Sequence, residues 1–166
     1  MTLPVRPPVR EHTHRLAKNL YTGETIVAIT ACLAARNTLF SDLPVAEGFA
    51  GDLRIAATRH HCVVIVYCFM PDHLHVVLQG AAPEADVWRA MILFKQRTGY
   101  WLKRNRPGVR WQNDFYDRIV RRDENLADHI WYVVNNPVRA GLVEDWRQYP
   151  CVGSDVFRLE ELFGAA

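Results

Sequence analysis

The hydrophobic and polar positions along this chain change period several times, and each change marks an element. Residues 25–33 (TIVAITACL) are apolar and β-branched, which predicts a first strand. The polar triplet Arg36-Asn37-Thr38 breaks that run. Phe49, Leu53, Ala56 and Ala57 then fall near helical spacing within residues 44–60, despite Gly48 and Gly51. Two strands follow, residues 62–70 (CVVIVYCFM) and 73–79 (HLHVVLQ). Only Pro71-Asp72 separates them, which predicts an antiparallel hairpin. Across residues 84–104, Val87, Ala90, Met91, Phe94 and Thr98 repeat at helical spacing, and Asn105-Arg106-Pro107-Gly108 closes that helix. Residues 109–120 suit a short strand and an exposed loop. Asp123 reads as the N-cap, with Glu124 in the first turn, of a helix reaching about Asn136, where Pro137 limits it. Residues 146–150 read as a return across the core and 156–163 as a short terminal helix. The order β-α-β-β-α-(β)-α predicts an α+β fold, a ferredoxin-like (split βαβ) antiparallel sheet with helices packed on one face.

At 166 residues the chain suits one domain with a proper core, over 1–166, with an N-terminal arm (1–20) and a C-terminal tail (151–166). The arm is proline-rich, and Arg6, Arg10 and Arg15 could let it touch phosphate. Cys32, Cys62, Cys68 and Cys151 show no CxxC spacing and lie mostly among apolar residues, so they read as reduced thiols. No apolar run approaches the ~20 residues of a membrane span, and the first residues lack the apolar core of a signal peptide. A cytoplasmic location with no membrane partner is the expectation.

The net charge of +2 says little, but its distribution changes the picture. Between Arg89 and Arg122 there are ten Lys or Arg and only two acids, Asp114 and Asp117. Aromatic residues are interleaved: Phe94, Tyr100, Trp101, Trp111, Phe115 and Tyr116. Such a block suits a nucleic-acid backbone and stacked, unpaired bases, and it equally suits a solvated helix face with core aromatics. On the first reading Arg97, Lys103, Arg104, Arg110, Arg121 and Arg122 hold phosphates, and Trp111 stacks a base.

The candidate chemistry begins at His73 and His75. Side chains two apart on a strand share a face, roughly 7 Å apart at the backbone, so both imidazoles point one way and Leu74 the other. That is a two-pronged donor for one divalent metal ion, or simply a pair of half-buried histidines. Tyr132 and Asn136 are four apart on the late helix and share its side with His129. A phenol, with a pKa of ~10, is a poor nucleophile without a polarised electrophile. A metal held by the histidines could polarise a phosphodiester, and the Asn136 amide oxygen could complete the protein ligands. Imidazole and oxygen donors with open positions suit Mg²⁺ or Mn²⁺ shared with a phosphate. The plainer alternative makes Tyr132 a packing or surface residue and Asn136 a helix end before proline.

Three segments, FMPDHLHVVL, WQNDFYDRIVRRDENLADHIWY and NNPVRAGLV, occur in this order at compatible distances. Together they resemble the HUH single-strand transposases, most closely the REP-associated tyrosine transposases, over about residues 21–150. The resemblance implies that His73 and His75 are metal ligands, that Tyr132 is the nucleophile and that Asn136 completes the metal site. It implies cleavage and rejoining of single-stranded DNA through a 5′-phosphotyrosine intermediate, with imperfect-palindrome hairpins as partners. Relatives of this kind include dimers and monomers, so oligomeric state stays open. Tyr116 is set aside, because no register readable from the sequence pairs it with Asn136. No phosphate-binding glycine loop is present, in keeping with a reaction that needs no nucleotide. Two other readings remain: a non-catalytic module of the same fold that binds hairpin nucleic acid, and a metal-dependent hydrolase in which water attacks.

Overall fold

Everything in the sheet is arranged about one hairpin, which a computed structural model describing residues 16–164 places at its centre. The chain runs β1 (Ile26–Cys32), α1 (Leu43–Arg59), β2 (Cys62–Met70), β3 (His73–Gly80), α2 (Val87–Asn105), β4 (Tyr116–Ile119), α3 (Leu126–Val134), α4 (Asn136–Arg139), β5 (Val152–Gly153) and α5 (Leu159–Phe163). The sheet order is β4-β1-β3-β2-β5 and every pairing is antiparallel. The α+β, split-βαβ expectation is borne out. The expected N-terminal arm lies outside the described residues as far as residue 15.

Strand alternation sorts the side chains into two cores. Leu74, Val76 and Leu78 of β3 join Phe69 of β2 beneath Phe49 and Leu53 of α1 and Met91 and Phe94 of α2. The two long helices therefore share one face, as expected. On the other face Val77, Val66, Cys68 and Met70 meet Ile130, Val133 and Val134 of α3, together with Trp146 and Leu159. This second cover explains why residues 62–70 are apolar almost without interruption: a strand buried on both faces has no polar side to show. A register shift between Val64 and Val66 puts Ile65 and Val66 together against the α3 layer, as a β-bulge does.

Several boundaries differ from expectation for local reasons. Asn125, not Asp123, caps α3, accepting from the Ala127 N–H at 3.1 Å. Glu124 is drawn away instead to His129 and Arg118. The segment expected as a tail from residue 151 is structural. Val152 and Gly153 pair with Cys68 and Tyr67, and Cys151 and Leu159 are buried. Desolvation pushes the Cys62 and Cys151 thiols up to about 11, consistent with packing residues.

Gly80 closes β3 against the chain at Gly23. A Cβ there would lie 1.8 Å from the Gly23 carbonyl oxygen and 3.0 Å from the Ala85 methyl group. Backbone cannot yield as a flexible side chain does. Gly80→Ala is therefore expected to lower stability by about 1–3 kcal/mol or more, read as a reduced urea midpoint with an unchanged slope.

Candidate active site

His73 and His75 project from the α3 side of β3, away from the core that holds Leu74. Their Nε2 atoms lie 3.0 Å apart, and the rings meet edge to face with centroids 4.7 Å apart. Each ring is oriented through its other nitrogen. His73 Nδ1–H donates to Asp72 Oδ1 at 2.6 Å, and Thr30 Oγ1 lies 3.0 Å from His75 Nδ1. Thr30 reaches that position because β1 pairs with β3 in the register that sets Thr30 opposite His75. Engaging both Nδ1 atoms aims both Nε2 atoms at one point, which is how metal-binding histidines are commonly held. Burial, then the charges of His73 and Arg139, hold the His75 imidazole far below its usual range, at about 3.

The second wall is the α3–α4 run. Ile130, Val133 and Val134 anchor α3 to the sheet, which turns Tyr132 toward the histidines. The Tyr132 ring centroid is 6.1 Å from that of His75, and the residue is 53% exposed. Asn136, 8% exposed, donates from Nδ2 to the Tyr132 carbonyl at 3.1 Å. That bond fixes the orientation of its amide and leaves Oδ1 facing Arg139, whose Nη2 donates to it at 2.8 Å. The Arg139 guanidinium carbon lies 3.8 Å from the Tyr132 ring centroid. Tyr132, Asn136 and Arg139 thus form one stripe at i, i+4 and i+7. The sequence contains that spacing, and Arg139 could have been found from it.

A cleft of about 400 Å³ opens between these walls, lined by His75, Tyr132, His129, Thr30, Tyr116 and Arg118, among others. Tyr116 is the residue the sequence reading set aside. β4 pairs with β1 so that Tyr116 sits opposite Thr30, completing a cross-strand row Tyr116–Thr30–His75 on one face. It is 48% exposed. His129 bonds Glu124 Oε2 at 2.7 Å, and Arg118 Nη2 donates to the same oxygen at 2.8 Å. The His129 hydrogen bond is the chief reason that the Glu124 carboxyl is held below its usual range.

The residues proposed to hold DNA do not all gather here. Arg121 and Arg122 are exposed on the connection from β4 into α3, close in sequence to the cleft. Arg97, Lys103 and Arg104 lie on α2, across the sheet from the histidines. Arg97 is engaged with Asp52 at 2.7 Å and Arg104 with the Tyr100 hydroxyl at 2.9 Å. Lys103 and Arg110 line a separate groove with Lys95 and Gln112. Trp111 must be corrected: it is 7% exposed and packs on Phe40, Phe49 and Phe94. Its indole N–H donates to Thr98 Oγ1 at 2.9 Å. Its ring is a core element, with little surface left at the groove that it lines beside Lys103 and Arg110. Among the described residues, no group of three or more His, Cys, Asp or Glu gathers into a metal-binding cluster, and no helix is long and apolar enough to cross a membrane.

Residues 23–136 match the family model described as Transposase IS200 like. A protein of Haemophilus influenzae named as a candidate REP-associated tyrosine transposase is 30% identical over 99 residues. That stretch takes in 52% of this chain and 55% of the relative, so the chain spans about half the length of the curated protein it matches. Among solved structures, a REP-associated tyrosine transposase bound to a REP hairpin superposes with a TM-score of 0.71 at 16% identity. The superposition covers 86% of this chain and 82% of that one. A candidate transposase from Deinococcus radiodurans superposes at 0.51 with 18% identity, covering 76% and 97%.

The imidazole of His75 also sets a pH dependence. Its folded value of about 3 lies below the ordinary 6.5, so between these values the unfolded chain holds a proton that the folded chain does not. The associated stability is fully present above pH 6.5 and is lost as pH falls toward 3, at up to ~1.4 kcal/mol per pH unit. In excess chelator, urea midpoints of the native chain should fall over that window, and those of His75→Gln should fall less steeply.

Proposed function

This chain belongs to the IS200-like transposase family, and from that premise we propose that it cuts and rejoins single-stranded DNA with Tyr132 as nucleophile. The reading rests above all on one arrangement. Two oriented imidazoles lie 3.0 Å apart at Nε2, and one of them, His75, lines a cleft together with the exposed Tyr132 on a firmly anchored helix.

The donors suit a divalent ion. The two Nε2 atoms lie 3.0 Å apart on rings oriented through their Nδ1 atoms, a nitrogen pair that would suit such an ion. His73 and His75 would hold the ion with Asn136 Oδ1, leaving positions for phosphate oxygen, as Mg²⁺ or Mn²⁺ prefers. When bound, it would polarise the phosphodiester and stabilise the leaving oxygen. For His75 to present a lone pair at Nε2, its proton must sit on Nδ1, where Thr30 Oγ1 can accept it.

In the reaction the Tyr132 oxygen attacks phosphorus as the bond to the 3′ oxygen breaks; the phenol gives up its proton and the departing 3′ oxygen takes one up, so the proton count is unchanged. The products are a 5′-phosphotyrosine and a free 3′-hydroxyl. Attack by a 3′-hydroxyl on that linkage reverses the exchange and releases the phenol. One phosphate ester replaces another at each step, so no nucleotide is consumed. Arg121 and Arg122 would hold the strand through phosphates as it enters the cleft, contacts that position DNA without reading its sequence. The structural neighbour bound to a REP hairpin makes a DNA hairpin with single-stranded flanks the substrate to test first.

Tyr132→Phe should bind such a hairpin as the native chain does, yet yield no covalent protein–DNA band on a denaturing gel. An adduct formed by the variant would remove Tyr132 from the mechanism. Equal binding with no adduct or cleavage from the native chain, with Mg²⁺ or Mn²⁺ supplied, would leave a hairpin-binding module. Thr30→Val keeps the side-chain volume but takes the partner from His75 Nδ1. Its Mn²⁺ affinity, measured by calorimetry, should fall about 10–100-fold. An unchanged affinity would separate Thr30 from any metal site.

A further inference from the structure

Arg139, to which the mechanism above gives no part, sits against both Tyr132 and Asn136. Its guanidinium lies flat enough over Tyr132 to bring Cζ within 3.8 Å of the ring centroid. At the same time Nη2 donates to Asn136 Oδ1 at 2.8 Å, the oxygen assigned above to the metal ion. A fixed cation therefore shares an acceptor with the expected site of a second cation. The residue is otherwise exposed, so the ring and the amide supply its visible anchors. A guanidinium bonded through one edge keeps further N–H groups for an anion, and a phosphate suits that fork well.

We infer that Arg139 binds the scissile phosphate and, through its charge, makes metal ion and DNA bind cooperatively at this site. The inference rests on the metal-and-tyrosine reading above and deepens it. With no DNA, guanidinium and divalent ion repel one another and compete for the lone pairs of Asn136 Oδ1, so the ion is held weakly. A phosphodiester anion between them is attracted by both, and its arrival turns a repulsive pair into a neutralised set. Coupling of this kind is reciprocal: DNA tightens metal binding by the factor by which metal tightens DNA binding. Arg139 is then a catalytic residue in the strict sense, since it touches the transferred phosphate. Its stacking on Tyr132 holds the attacking ring beside that phosphate.

The test uses full-length Tyr132→Phe protein, which keeps the ring beneath Arg139 and leaves the DNA uncut. Mn²⁺ affinity is measured by calorimetry with and without a saturating single-stranded hairpin oligonucleotide. DNA is expected to tighten Mn²⁺ binding by ~10-fold, within the usual 5–150-fold range of coupling between sites. In the same background Arg139→Gln retains a donor for Asn136 but carries no charge. It should bind Mn²⁺ alone several-fold more tightly than its parent, while the DNA-dependent gain shrinks below about twofold. A purely structural role predicts the opposite sign, a looser site and weaker Mn²⁺ binding without DNA, and that result would overturn the inference. An undiminished DNA-dependent gain in Arg139→Gln would overturn it as well. Failure of the nucleophile reading is visible separately, as an adduct formed by Tyr132→Phe. Absence of Mn²⁺ binding in every protein would sink both the metal site and the coupling.

Discussion

The site depends on the alternation of side chains along β3. His73 and His75 point to one face while Leu74, Val76 and Leu78 are buried on the other, under α1 and α2. A one-residue slip would drive both imidazoles into an apolar core and turn leucines toward the cleft. The burial of those three residues is therefore what fixes where the histidines face. β3 is also the middle strand, bonded to β1 and β2 along its length. A donor pair on a central strand has little freedom to drift, whereas an edge strand or a loop would leave its spacing to chance.

The opposite wall solves a different problem. Pro137 lacks an N–H, so the helix is interrupted at the point where Tyr132 and Asn136 must keep their relative position. The Asn136 amide restores order by donating to the Tyr132 carbonyl, and the backbone N–H of Arg139 continues the ladder to the Asn135 carbonyl at 3.0 Å. One side chain thus repairs the helix and, through its oxygen, holds the Arg139 guanidinium. Its near-complete burial follows from the first task as much as from the second.

The parts of this arrangement that were legible in the sequence obey local periodicities. His73 and His75 follow from a period of two, and Tyr132 and Asn136 from the helical repeat. The same stripe extends to Arg139, three positions beyond Asn136. Thr30 and Tyr116 were different. Their places depend on which strands pair and in which register, and no spacing along the chain encodes that. Trp111 failed for the same reason: its neighbours Phe40 and Phe49 come from 71 and 62 positions earlier in the sequence. Beside Arg110 it looks like a stacking platform, and only the fold reveals it as core. The second cover of the sheet was hinted at by the unbroken apolar run of β2, which a one-sided sheet would not need.

The nucleophilic role proposed for Tyr132 sets opposing demands, since its oxygen must be accessible while its backbone stays still. Tyr132 meets both through its neighbours. Ile130, Val133 and Val134 are buried against the sheet, so the helix beneath the tyrosine is held by core packing. Tyr132 itself remains 53% exposed, at the lining of a cleft of about 400 Å³. Anchoring through apolar contacts on the far side of the helix leaves the reactive side with no packing duty. Arg139 then restrains the ring by stacking from the solvent side, where a guanidinium can release one partner for another without disturbing the core. The exposed ring and the buried base belong to the same two turns of helix, a division that would suit the repeated cutting and rejoining proposed for Tyr132.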